Sequence, residues 1–133
     1  MRLLLLSGFC LSFAAGCAPK REVTPEQVQS LTTLTTVMDA QHTYADPLMA
    51  KRDQPAFSDA EFAQMVDASP RLAATALKTK EFSKGPAFDE LAARLHGQAE
   101  ALGAAGQAKD ATAARASLSS MKQICRECHS KFK

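Results

Sequence analysis

The chain has 133 residues, room for one domain around one core. Sixteen Lys and Arg against 14 Asp and Glu leave a net charge of +2, which supplies no basic stripe to pair with phosphates and argues against a general nucleic-acid binder. Trp is absent and Tyr occurs once, while Ala and Leu dominate and β-branched residues are few, so the composition favours helix over strand.

Taken from the N-terminus, Arg2 supplies a minimal positive start, Leu3 to Ala15 form an apolar run, and the small residues Ala14, Ala15 and Gly16 close it. Residues 1–16 read as an export signal, because the run is too short for a membrane span. An uncleaved anchor is the alternative. The segment Leu11-Ser12-Phe13-Ala14-Ala15-Gly16-Cys17 resembles a bacterial lipobox, with Ala14 standing where leucine is usual. That resemblance implies that Cys17 is lipidated and becomes the new N-terminus. With Ala18 rather than Asp after it, the resemblance implies sorting to the outer membrane. Plain cleavage near Gly16 or Ala18 is the competing reading. Cys10 leaves with the signal; Cys17, Cys125 and Cys128 remain.

Residues 17–23 read as a tether containing Pro19, Lys20 and Arg21, and residues 24–133 as the folded domain. Thr24, Pro25 and Gln27 form the start signal of a first helix, with a capping box. Val28, Leu31, Leu34, Met38 and His42 fall on one stripe, and Asp46-Pro47 predicts an end near Tyr44. A loop with Pro55 follows. Ser58 and Glu61 make a second capping box, and Phe57 and Phe62 a hydrophobic staple. The second helix carries Phe62, Met65, Val66, Leu72, Ala76 and Leu77; at Pro70 it either kinks or restarts from Ser69. Gly85-Pro86 breaks the chain. A third helix runs with Phe88, Leu91, Leu95, Ala99 and Leu102 on one face, and Gly106 is its natural stop. Asp110 caps a fourth helix with the stripe Ala114, Leu118, Met121, Cys125, His129 and Phe132. No internal repeat is evident. Four amphipathic helices with short links predict an all-α, up-down-up-down four-helix bundle.

The chemistry concentrates in Cys125-Arg126-Glu127-Cys128-His129, a C-x-x-C-H haem-attachment signature. On a helix, residues three and four apart share a face. Two thiols can then add to the two vinyl groups along one porphyrin edge while the imidazole reaches the iron from the same side. Cys125 and His129 also continue the buried stripe of the fourth helix, which puts the haem inside the bundle. A structural zinc site would need four N or S ligands, and only His42 and His96 could complete one, without finger-like spacing. A thioredoxin-like C-x-x-C needs a strand-to-helix setting, which is missing, and a simple disulfide leaves His129 without a reason.

Phe88-Asp89-Glu90-Leu91, the break at Gly106-Gln107-Ala108-Lys109-Asp110 and the terminal run from Cys125 to Lys133 together resemble cytochrome c′. The resemblance covers residues 24–133, strongly over the last two helices and weakly over the first. It implies a four-helix bundle with one covalent haem c, His129 as proximal iron ligand, and Phe132 and Lys133 near the proximal pocket. It also implies a distal face lined from the first helix. Met38 is the first candidate there, since its thioether can ligate or pack. Leu34, one turn earlier, is next and would leave the sixth site open; His42 is third, against a reading as a half-buried or solvent-facing side chain. His96 reads as exposed. The two Thr pairs at 32–33 and 35–36 have no functional account.

Function then divides. The resemblance favours a gas-accessible pocket for nitric oxide or carbon monoxide. The alternative is a low-spin, six-coordinate electron carrier with Met38 as distal ligand. Without a distal acid–base pair no enzyme is expected. Expected partners are periplasmic or membrane redox proteins, the membrane through a lipid anchor on the periplasmic side of the envelope, and, by analogy with the family, a second copy through the first two helices.

Overall fold

The computed structural model describes residues 22–133. The export signal, the lipobox with Cys17 and most of the tether lie outside the described residues. Among the described residues there are five α-helices: α1 (Pro25–Val28), α2 (Leu34–Met49), α3 (Asp59–Thr79), α4 (Pro86–Ala108) and α5 (Ala111–Phe132). The last four form the antiparallel bundle that the periodicity predicts, and α1 is an added turn lying on α3.

The first expected helix is therefore two. Thr24 and Gln27 do form their capping box, with the Thr24 N–H donating to Gln27 Oε1 at 2.9 Å, yet the helix stops after one turn. Thr33 starts it again, accepting from the Thr36 N–H at 3.2 Å. The Thr36 hydroxyl donates back to the Thr33 carbonyl at 2.8 Å. Threonine hydroxyls compete for backbone groups in this way, and the Thr-rich stretch is where the helix divides. Val28 stays buried, but it is no longer on one helical stripe with Leu34 and Met38.

α2 also runs past its expected end. Pro47 sits inside its last turn, and Leu48 and Met49 beyond it are buried. Burial of two large apolar side chains outweighs the local bias against helix at Asp46. Val23, assigned to the tether, is docked in the core. Its N–H donates to Tyr44 Oη at 2.6 Å, and the Tyr44 hydroxyl donates to its carbonyl at 2.8 Å.

α3 begins as expected. The Ser58 N–H donates to Glu61 Oε2 at 2.7 Å, and the Phe57 and Phe62 rings meet edge-on at 5.7 Å. It continues unbroken through Pro70, which faces outward. Ser69 caps nothing; its hydroxyl donates to the Ala99 carbonyl of α4. Leu77, expected on the inner stripe, is 46% exposed. The α3 stripe has drifted around the helix by that point, and Lys78 and Thr79 are the buried residues there.

Gly106 does not stop α4. The helix closes two residues later, with Lys109 left-handed at φ 51° and the Asp110 N–H donating to the Ala105 carbonyl at 2.9 Å. Gly106 instead lets α3 approach. A Cβ there would stand 3.0 Å from the Phe62 carbonyl oxygen, and one at Gly103 would stand 2.8 Å from Ser69 Cβ. Asp110 then caps α5, accepting from the Thr112 and Ala113 N–H groups at 2.9 and 3.0 Å. α3, α4 and α5 pack closely in turn, and α2 packs on α3 but meets α5 only sparsely. A slot opens between α2 and α5.

Candidate haem site

Cys125, Cys128 and His129 lie on the face of α5 that looks into this slot. Both cysteines are free thiols packed against the core, and His129 is half-buried. Their helical spacing forces the shared face; the slot gives that face something to face. A cavity of about 320 Å³ toward the C-terminal end of α5 is bordered by Leu34, Met38, Cys128, His129, Phe132 and Lys133. A second, also about 320 Å³, is bordered by Met38, His42, Met121, Cys125 and His129. Between them a deeper recess of about 30 Å³ touches Met38, Leu91, Leu95 and all three attachment residues. Every residue expected at the site from the sequence, Cys17 aside, thus borders one continuous region. A shallower recess of about 610 Å³ around Phe62, Val66 and Pro70 is wider but contains no Cys or His.

The walls suit a flat, mostly apolar group. Leu34, Phe88, Leu91, Leu95 and Phe132 line them, and the Phe88 and Phe132 rings meet edge-on at 5.2 Å. Cations stand at both mouths, Lys84 and Lys133 at one and Lys122 and Arg126 at the other. Lys84 is also tied to the end of α5, its Nζ donating to the Phe132 carbonyl at 2.7 Å. Either pair could meet the carboxylates of a haem.

Protonation follows burial. Desolvation pushes the Cys125 thiol up, and neighbouring Cys128 adds to the rise; desolvation also raises Cys128. Both remain thiols at neutral pH, so neither is primed for oxidation as a thiolate would be. Desolvation lowers His129, with Lys133 and His42 adding to the shift. The neutral imidazole that results is the form able to ligate a metal.

Across the slot α2 presents Leu34, Met38 and His42. The His42 and His129 ring centres are 6.3 Å apart, with the planes tilted by 37°. His42 Nδ1 lies 3.2 Å from both carboxylate oxygens of Asp46, one helical turn on. The 42–46 spacing, one helical turn, is the sequence signal that could have found this pairing. Gln41 was missed for a better reason. Its Nε2 donates to Thr79 Oγ1 at 3.0 Å from 38 residues away, and Thr79 donates to the Thr75 carbonyl at 2.9 Å. Only the packing of α2 on α3 creates this buried polar wall.

His96 lies outside the site. It is half-buried rather than exposed, with Nδ1 3.2 Å from the Ala73 carbonyl oxygen and Nε2 3.5 Å from Glu100. The closeness of α3 to α4 accounts for the difference. Among the described residues no three of His, Cys, Asp and Glu converge as they would to hold a bare metal ion. The donor set fits a haem instead: two thiols on one edge, one neutral imidazole, and an apolar slot.

Comparison with curated proteins and with solved structures returns no match. A family model described as Cytochrome C′ matches residues 29–133, and the chain belongs to that family, whose members bind haem c covalently.

Proposed function

We propose that this protein is a single-haem electron carrier, exported and held by lipid on Cys17 at the periplasmic side of the outer membrane. Cys125 and Cys128 bind the haem through thioethers, and His129 ligates its iron. One observation carries the reading: two side chains able to ligate iron, Met38 and His42, stand on α2 across the slot from His129. An iron with two protein ligands keeps its coordination in both oxidation states, which suits electron transfer and resists added gas. The protein passes single electrons between periplasmic or membrane redox partners and transforms no substrate of its own. Export of the chain agrees with thioether attachment, and no helix among the described residues is long and apolar enough to cross a membrane.

A second reading, uptake of nitric oxide or carbon monoxide, draws on the cavity of about 320 Å³ beside Leu34, which has room for a diatomic ligand. Spectra separate the two. An electron carrier is low-spin when oxidised and when reduced, and carbon monoxide leaves the reduced spectrum unchanged. A high-spin oxidised spectrum, with prompt carbon monoxide uptake after reduction, overturns the carrier reading in favour of the gas binder.

A further inference from the structure

We propose that the side of α5 bordering the slot is a docking surface for a redox protein with an acidic patch, and that the facing side of α2 fixes how that partner sits. The proposal rests on the electron-carrier reading and names the kind of partner it needs. Charge is divided between the two helices that flank the slot. Residues 111–133 hold five Lys and Arg against one Glu, while residues 22–50 hold four Asp and Glu with no Lys or Arg. On α5, Arg115, Lys122, Arg126 and Lys133 are spaced by seven, four and seven residues, which keeps them on one side of the helix. Lys122 and Arg126 border the cavity with Cys125 and His129, and Lys133 borders the one with Cys128. From α2, Asp46 borders the first cavity and Asp39 the second.

Arg115 is spent within the fold, donating to the Gln54 and Pro55 carbonyls at 3.2 and 3.1 Å. Among the described residues Lys122, Arg126 and Lys133 make no ion pair with a side-chain carboxylate, and none reaches across the slot to Asp39 or Asp46. Lys84, tied to the end of α5, makes a fourth cation on this side, so the two carboxylates of a haem leave it positive. Such a row of charge beside the slot draws in an acidic surface from solution. Asp39 and Asp46 repel the same surface, so the partner sits over α5 and not astride the slot. Lys122 to Lys133 runs about 16 Å along the helix, and a redox encounter covers a patch roughly 25–30 Å across, so one partner spans all three cations. A uniformly anionic lipid surface would meet the acidic side of the slot as well, which favours a partner whose charge is confined to a patch.

The test follows one-electron oxidation of the reduced, haem-loaded full chain by two reagents of opposite charge. One is plastocyanin, a blue-copper protein with an acidic patch; the other is tris(phenanthroline)cobalt(III), a trivalent cation. At low salt Lys122→Gln/Arg126→Gln should slow transfer to plastocyanin by roughly tenfold and quicken transfer to the cobalt complex, and both effects should vanish at high salt. A changed reduction potential would move both rates the same way, so opposite movement identifies surface charge. Lys122→Glu/Arg126→Glu should enlarge both effects. Arg52→Gln/Lys109→Gln removes the same charge away from the slot and should leave the plastocyanin rate within about twofold. Rates are taken per haem, so a variant that loads poorly does not pass for one that docks poorly. Equal plastocyanin rates in the wild type and both α5 variants would overturn the docking surface and leave the electron carrier standing. The same holds if the α5 substitutions abolish only self-association at low salt, or only binding to phosphatidylglycerol vesicles, since the stripe then serves a second copy or the membrane. A haem protein that gives electrons to neither reagent would overturn both readings.

Discussion

Cys125, Cys128 and His129 are bound together by the 3.6-residue period of α5, and each has a separable consequence. Two thioethers should keep haem on the protein through acid–organic extraction. The Cys125→Ala/Cys128→Ala double variant should lose all of it to the organic phase, as pigment partition measures; equal loss from the wild type would refute attachment. His129→Ala should change the iron spectrum outright. His96→Ala should not, because His96 is engaged with Ala73 and Glu100 away from the slot. At this scale the candidate site was legible in the sequence, since five consecutive residues carry both the residue types and the spacing that haem attachment needs. The Gln41–Thr79 contact was not, since nothing local relates positions 38 apart.

The helices bear the marks of their end signals and of their neighbours, and glycine separates the two influences. Gly97 and Gly103 both lie inside α4. A Cβ at Gly97 meets nothing within 4 Å, so Gly97→Ala should stabilise by about 1 kcal/mol through helix propensity alone. At Gly103 the same atom runs into Ser69, so Gly103→Ala should destabilise by about 1–3 kcal/mol. Chemical denaturation that moved both variants the same way would contradict this packing. The start of α3 adds a pH signature. Hydrogen bonds from the Ser58 backbone, from Lys51 and from the Ser58 side chain lower the Glu61 carboxyl below its ordinary value. A carboxyl depressed in the fold contributes stability that is full above its ordinary pKa and is lost as pH falls through the lowered one. Ser58→Ala should destabilise by about 1 kcal/mol at neutral pH and narrow that acid-side loss. Both capping boxes were readable because capping is local. The break at Thr33 and the passage of α2 through Pro47 were not, because there threonine hydroxyl competition and the burial of Leu48 and Met49 decide against the simpler pattern.

For the molecule as a whole, the slot between α2 and α5 ties stability to the haem. A bundle that leaves this gap unfilled keeps Leu34, Met38 and Phe132 only half-buried, so the double cysteine variant should melt at a lower temperature than the haem protein by circular dichroism. Membrane attachment is tested at the same scale. With Val23 docked in the core, six residues of chain from Cys17 reach at most roughly 20 Å, so lipid on Cys17 would hold the domain close to the membrane surface. Cys17→Ala should move the protein from the membrane fraction to the soluble one. An unlipidated mature N-terminus at Pro19 would remove the anchor and leave export intact. By itself the sequence determined the all-α class, the order of the four bundle helices and the shared face of Cys125, Cys128 and His129, because periodicity, caps and C-x-x-C-H all act within a few residues. Only the tertiary structure decided that Met38 and His42 both border the slot with His129, because the gap between α2 and α5 depends on contacts between residues far apart in sequence. The width of that slot follows from α2 packing on α3, α3 on α4 and α4 on α5, with α2 meeting α5 only sparsely.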